Sequence, residues 1–282
     1  MSSSPLYSSK LCFVGGGNMA AAIIGGLLAK DVSKQNIYVS EPYDVNRNKM
    51  ADLGVRTGTS NVEASADADL LVIAVKPQVT ETVCRELGAA WGDRKTLPLV
   101  ICIAAGVQIT SLKKWLTTGD GRTPHIVRVM PNTPALVGEG ASGLYAGDDV
   151  TKSERELATA LLGSVSKAAE WVNREDLLDV VTGLSGSGPA YFFAMVEHLI
   201  SSATALGLSP EQASRLAKQT CLGAGKMLVE SSDEPGQLRK NVTSPNGTTY
   251  AALQTFEQLG FQEIVDKAVK AATNRSRELG QA

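Results

Sequence analysis

Apolar residues in the first half of this chain gather into short unbroken runs, separated by stretches of helical length. Residues 69–75, Asp-Leu-Leu-Val-Ile-Ala-Val, carry branched side chains with no polar break, as a parallel strand buried on both faces requires. Residues 99–104 and 125–130 repeat the pattern, and shorter apolar runs end at Val14 and Ser40. Helices are predicted between them over residues 19–30, 45–53, 79–87 and 110–116, and further short strands over residues 141–146 and 169–172. Alternating strands and helices predict a Rossmann-like, doubly wound α/β domain. Past Asn173 the strand-like runs stop, and helices are predicted over residues 189–206, 210–230, 251–259 and 263–279. Ser209 caps the second of these and Pro210 occupies its first turn. The pattern thus divides the chain near residues 164–173, into an α/β domain (residues 1–168) and an all-helical domain (residues 169–282). Helices so rich in Ala and Gly pack closely, and their apolar content predicts burial against a second copy, as a homodimer.

The first strand runs into Val14-Gly15-Gly16-Gly17-Asn18-Met19-Ala20. Gly15, Gly17 and Ala20 fill the three positions of the G-x-G-x-x-G/A dinucleotide fingerprint: a tight turn, close backbone approach to a pyrophosphate, and close helix–strand packing. Glycine clusters also occur in ordinary turns, but here a strand precedes, a helix follows, and the strand ending at Ser40 completes a βαβ unit. Amides at the helix start then face the phosphates. Glu41 follows the second strand, where an acidic side chain accepts hydrogen bonds from the adenosine ribose. A carboxylate there repels a 2′-phosphate and favours NAD, whereas Arg47, six residues on, is placed to offset that charge. The choice of cofactor stays open at this level.

The apolar content of 43% and charged content of 20% describe a globular chain. A net charge of −2 gives no basic footprint for nucleic acid or an anionic membrane. Cys12, Cys84, Cys102 and Cys221 are scattered without a C-x-x-C pair, which reads as reduced, mostly buried thiols in a cytoplasmic protein. No secretory leader and no apolar run of membrane-spanning length are evident.

Ligands in such sheets bind beyond the carboxyl ends of the strands. Three loops lie there: Val75-Lys76-Pro77, Ala104-Ala105-Gly106 and Met130-Pro131-Asn132-Thr133-Pro134. Lys76 is a donor for a phosphate or for a substrate carboxylate, or else a solvated strand-end lysine. In the helical half, Thr182-Gly183-Leu184-Ser185-Gly186-Ser187-Gly188-Pro189 and Val242-Thr243-Ser244-Pro245-Asn246-Gly247-Thr248-Thr249 each open a helix with more hydroxyls than a cap needs. That makes each a candidate carboxylate site.

Five stretches, residues 15–20, 74–77 (Ala74-Val75-Lys76-Pro77), 130–134, 182–189 and 242–249, occur in the order found in the pyrroline-5-carboxylate reductase family, and the chain resembles that family over nearly its whole length. One departure is Asn246, where the family usually has a glycine; Asn tolerates the left-handed backbone better than other side chains do. The resemblance implies reduction of 1-pyrroline-5-carboxylate to L-proline with NADPH or NADH. It implies an N-terminal cofactor domain and a helical domain that dimerises, with five dimers joining into a decamer in many members. It also implies that Asn61 meets the adenosine side of the cofactor and that Ala74, Val75, Lys76 and Pro77 line its nicotinamide end. Ser244, Thr248 and Thr249, with Asn246 and Gly247 in the same loop, then hold the substrate carboxylate at the dimer interface.

Such chemistry needs little acid–base help, because a protonated cyclic imine is already electrophilic; alignment with the hydride is the main demand. His125 and His198 are the only histidines and read as structural. Solvent or the Thr182 hydroxyl is the expected proton source. A different Rossmann-plus-helical oxidoreductase, of the imine reductase or β-hydroxyacid dehydrogenase type, is the main competitor. The latter type needs a lysine base on the first long helix of its second domain, and residues 189–206 contain none. A non-enzymatic dinucleotide-binding module is the remaining alternative.

Overall fold

The structure, a computed structural model, describes residues 5–281. Chain order begins β1 (Leu11–Val14), α1 (Asn18–Ala29), β2 (Ile37–Ser40), α2 (Asp44–Asp52), β3 (Arg56–Gly58), α3 (Asn61–Ser65) and β4 (Leu70–Ile73). It continues with α4 (Pro77–Ala90), β5 (Leu99–Cys102), α5 (Ile109–Leu116), β6 (Ile126–Met130), β7 (Gly140–Ala146), α6 (Lys152–Leu162) and β8 (Ser166–Trp171). These strands form one sheet in the order β3-β2-β1-β4-β5-β6-β7-β8. The first six are parallel, β7 runs antiparallel to β6, and β8 is parallel to β7. This is the doubly wound order, with the switch point between β1 and β4.

Alternate residues of each strand enter different cores, as a period of two dictates. Leu11, Phe13, Leu70, Val72 and Ile101 face a layer with Ile23, Ile24 and Leu27 of α1. Cys12, Val14, Leu71, Ile73 and Val100 face the other layer, with Leu87 of α4 and Leu112 and Leu116 of α5. Both faces are apolar, which explains the unbroken hydrophobic runs in the central strands. Trp91 closes the second layer; it is 1% exposed, and its indole N–H donates to the Ser65 hydroxyl at 3.2 Å.

After β8 come α7 (Leu177–Val181), a π-helical turn over Thr182–Gly186, α8 (Gly188–Ala205), α9 (Pro210–Glu230), α10 (Pro235–Asn241), α11 (Thr248–Gln258) and α12 (Phe261–Gln281). The chain divides into two compact units, one running up to Gly186 and resuming at Ala272, the other Ser187–Ala271. A division at residue 168 falls inside β8, which pairs with β7 through Ala168 and Ala169. The α/β unit therefore extends through α7 and takes back the end of α12, where the Ser276 hydroxyl donates to Asp179 at 2.6 Å.

In the second unit α8 packs on α9, and α9 begins with a full capping box between Ser209 and Gln212. Large apolar side chains remain uncovered within one chain: Phe192, Phe193, Leu216 and Val229 are 62%, 68%, 60% and 83% exposed.

Candidate functional site

Beyond the carboxyl end of β1 the chain turns sharply at Gly15, whose φ is +100°. A Cβ built there lies 2.7 Å from the Ala74 carbonyl oxygen, so only glycine fits between β1 and the loop after β4. The Gly15 amide donates to the Ser40 carbonyl at 2.8 Å, tying the turn to β2. Gly17 is the N-cap of α1 and provides no side-chain cap, so the first amides of the helix have no intrahelical or capping partner. A Cβ at Gly17 meets nothing within 4 Å. That combination, open space in front of free helix-start amides, fits a pyrophosphate.

A cleft of about 380 Å³ opens at this point. Of the predicted cofactor residues, Val14, Gly15, Gly17, Glu41, Asn61, Ala74, Val75 and Lys76 line it. Gly16, Asn18, Met19, Ala20 and Pro77 do not. Gly16 is buried beneath the turn, Ala20 is 1% exposed in the core, Met19 packs against that core, and Pro77 starts α4 behind Lys76. These four thus shape the site without forming its wall, while Asn18 is exposed at the start of α1. The wall also contains Ser40, Pro42, Tyr43, Asn46, Gln78, Val79 and Val83, which the motifs did not single out. Ser40, Pro42 and Tyr43 stand at the end of β2, where position was a signal, whereas Asn46 on α2 and Gln78, Val79 and Val83 on α4 reach the cleft from helix faces that carried none.

Glu41 is 4% exposed. Its Oε2 accepts from the Gly16 amide at 2.8 Å and its Oε1 from the Tyr43 amide at 2.9 Å. Asn61 is held as well: its side-chain oxygen accepts from the Ser40 hydroxyl at 2.7 Å, and its amide donates to Glu86 at 2.8 Å. Arg47, expected to offset the charge of Glu41, instead donates to the carbonyls of Glu41 and Pro42, each at 3.0 Å, and pairs with Asp44.

Farther along the strand ends, Asn132 is 8% exposed and joins two loops. Its amide donates to the Ser185 carbonyl at 3.1 Å and its oxygen accepts from the Ala141 amide at 2.9 Å. This seats the π-helical turn over the end of β6. Thr182 begins that turn, half-buried, with its hydroxyl donating to the Leu178 carbonyl at 2.8 Å.

Ser244, Asn246, Gly247, Thr248 and Thr249 lie in the other unit, at the start of α11. Asn246 has φ of 58°, the left-handed conformation expected of it, and the Gly247 amide donates to the Ser244 carbonyl at 3.0 Å. Ser244, Thr248 and Thr249 thus stand at a helix start whose first amides, among the described residues, have no side-chain cap.

His125 pairs with Glu154 at 2.8 Å at the opposite end of the sheet, and His198 is exposed on α8. Burial pushes the Cys12 thiol up to about 12 and the Cys102 thiol to about 11, so neither is a thiolate at neutral pH. Among the described residues no cluster of His, Cys, Asp or Glu could hold a metal ion, and no helix is long and apolar enough to cross a membrane.

A glycine turn, a helix N-terminus and a strand-end cleft at the switch point, followed by a helical unit, define a nicotinamide-dependent oxidoreductase of Rossmann type. A family model described as NADP oxidoreductase, coenzyme F420-dependent, matches residues 10–106, and one described as pyrroline-5-carboxylate reductase dimerisation matches residues 175–279. The pyrroline-5-carboxylate reductase of Pseudomonas aeruginosa is 46% identical over 277 residues, covering 98% of both chains. That of Arabidopsis thaliana is 38% identical, over 99% of this chain and 98% of its own. A solved pyrroline-5-carboxylate reductase from Coxiella burnetii superposes with a TM-score of 0.89 at 39% identity, over 97% of this chain and 99% of that one. The Plasmodium falciparum enzyme, solved with NADP bound, gives 0.84 at 30% identity, over 98% and 99%. This chain belongs to the pyrroline-5-carboxylate reductase family.

Proposed function

We propose that this chain reduces 1-pyrroline-5-carboxylate to L-proline, with NADPH or NADH as the hydride donor. The observation that carries the reading is the cleft at the switch point, where an open glycine and uncapped helix amides face the space a pyrophosphate needs. When bound, the reduced nicotinamide supplies the hydride. The protein's own work is alignment: Ala74, Val75 and Lys76 line the cleft after β4, and Asn132 fixes the turn that carries Thr182.

The substrate carboxylate binds the Ser244–Thr249 donor cluster, with Asn246 and Gly247 setting the loop's path. As the hydride reaches the imine carbon, the C=N π pair collapses onto a nitrogen that already bears its proton. The resulting amine takes its second proton from solvent or from Thr182. For Thr182 to donate, its hydroxyl must rotate away from the Leu178 carbonyl.

The active form is a homodimer, assembling further into a decamer of five dimers. The support for the dimer is the uncovered apolar surface of the helical unit, including a groove of about 660 Å³ lined by Phe193, Val196, Ile200 and Leu222; the decamer rests on the family resemblance. With four free cysteines, the three buried ones held protonated by burial, the chain suits the reducing cytoplasm.

The test is to mix purified protein with the imine and reduced cofactor, following cofactor absorbance and identifying the product by chromatography. Consumption of cofactor with formation of L-proline supports the reading; nucleotide binding without turnover refutes the substrate assignment. Thr249→Ala should mainly raise KM for the imine, and an unchanged rate in Thr182→Val excludes Thr182 as the proton donor.

A further inference from the structure

We infer that the cleft selects NADH over NADPH, and that Glu41 is the residue that decides it. Resting on the cofactor reading above, this narrows the choice between two molecules that differ only by a phosphate on the adenosine ribose.

Glu41 ends β2 and forms part of the cleft wall together with Ser40, Pro42, Tyr43 and Asn46. A carboxylate on a free side chain can swing away from an incoming phosphate. This one cannot, because the amides of Gly16 and Tyr43 hold one oxygen each, at 2.8 and 2.9 Å. Each oxygen keeps a second lone pair, enough to accept from the two hydroxyls of an unmodified ribose. A 2′-phosphate brings only acceptors and up to two negative charges to the same place, in a site partly shielded from water.

A phosphate is tolerated beside a carboxylate when a cation lies close by. Arg47 is the nearest such cation along the chain, and its guanidinium is already committed. One nitrogen donates to the carbonyls of Glu41 and Pro42 and the other pairs with Asp44, so Arg47 braces the turn and does not line the cleft. Arg56, on β3, stacks over the Tyr38 ring at 4.4 Å and also lies outside the wall. Among the described residues Lys76 is the one cation in the wall, but it follows β4. In the sheet β1 separates β2 from β4, so their backbones are about 10 Å apart. Lys76 thus lies across the glycine turn from Glu41. The other polar groups of the wall near Glu41, Ser40, Tyr43, Asn46 and Asn61, are neutral, and Asn61 is already bonded to Ser40 and Glu86.

Equilibrium binding to the full chain tests this without turnover, using the fluorescence of NADH and NADPH with no imine present. NADH should bind at least about tenfold more tightly, the scale of one uncompensated like-charge contact. AMP against adenosine 2′,5′-bisphosphate should show the same order, locating the discrimination at the ribose. Glu41→Gln keeps an acceptor for one amide and removes the charge; it should cut the preference to about threefold or less. Because Glu41 also supports the glycine turn, Asp44→Asn serves as a second variant on an exposed side chain. By loosening Arg47 it should strengthen NADPH binding about two- to threefold and leave NADH binding unchanged. NADPH bound by the unaltered chain as tightly as NADH overturns the inference and leaves the dinucleotide site standing. Binding of neither removes the cofactor reading itself.

Discussion

Alanine at Gly15 and alanine at Gly17 should fail for different reasons, and the difference can be worked out from the turn. At Gly15 the backbone has φ of +100°, and the new methyl lies 2.7 Å from the Ala74 carbonyl oxygen, 2.8 Å from its carbon and 3.1 Å from Val75 Cγ1. The unfavourable φ costs about 1–3 kcal/mol. The overlap adds about 1–3 kcal/mol, because neither side yields freely: Gly15 is bonded to Ser40 and the Ala74 amide to Val14. For a chain of this size about 2–6 kcal/mol corresponds to a fall in Tm of roughly 4–24 °C.

At Gly17 φ is −72° and ψ is −177°, which alanine adopts without strain, and nothing lies within 4 Å. Alanine is a poorer N-cap than glycine by up to about 1 kcal/mol, and the stiffer unfolded chain returns about 0.4–1 kcal/mol. Tm should therefore stay within about 2 °C of the parent. Its methyl stands in the space a pyrophosphate needs, so NADH affinity should fall at least about tenfold. Thermal melts with and without NADH, together with direct titration, separate the two effects. The reasoning is refuted if Gly15→Ala melts with the parent, or if Gly17→Ala binds NADH as tightly as the parent does.

Three other substitutions, at two positions, probe parts of the fold away from the cleft. Burial pushes the Glu154 carboxyl up, but hydrogen bonds from the Thr151 hydroxyl and amide and from His125 outweigh it, leaving the carboxyl below its ordinary 4.5. Its contribution is therefore complete above pH 4.5 and is lost as pH falls through the depressed folded value. Glu154→Gln keeps a side chain able to close the capping box, as Gln212 does at α9, but removes the charge, and should cost about 0.5–1 kcal/mol at pH 7, the difference between charged and neutral hydrogen bonds; urea titrations should show the gap closing below pH 4, and a constant gap contradicts the assignment. Asn246→Ala places a less tolerant residue at φ of 58° and should destabilise by about 1 kcal/mol while raising KM for the imine. Asn246→Gly should be near neutral in a thermal melt, since relief of strain offsets added freedom in the unfolded chain.

The central strands were legible because both their faces are buried, which leaves β4 and β5 no polar positions to blur the pattern and β6 only Arg128. The glycine turn was legible for a steric reason now visible at Ala74. Elements held by local hydrogen bonds were harder to see. The α6 helix lies among charged residues, and its start was signalled only by the Thr151 and Glu154 pair that forms its capping box. The strand β3 is Arg-Thr-Gly, and α3 spans five residues, too short for any period to emerge. The end of the α/β unit was hidden because β8, Ser-Lys-Ala-Ala-Glu-Trp, is an edge strand exposed on one face. At the cleft, the position of Glu41 could be read from spacing. The sequestration of Arg47 could not, because it depends on backbone carbonyls that no side-chain pattern records.

The return of the last helix to the first unit also bears on how this chain is made. Asp179 receives its hydrogen bond from Ser276, 97 residues later, and the Gly106 loop packs against Gly280. At a synthesis rate of about 5–20 residues per second, that separation amounts to about 5–20 s. During this interval the nascent α/β unit has its sheet but lacks its final contacts, while the whole of the other unit is being threaded out. The nucleotide-binding half, first to be translated, is thus among the last parts of the molecule to be finished.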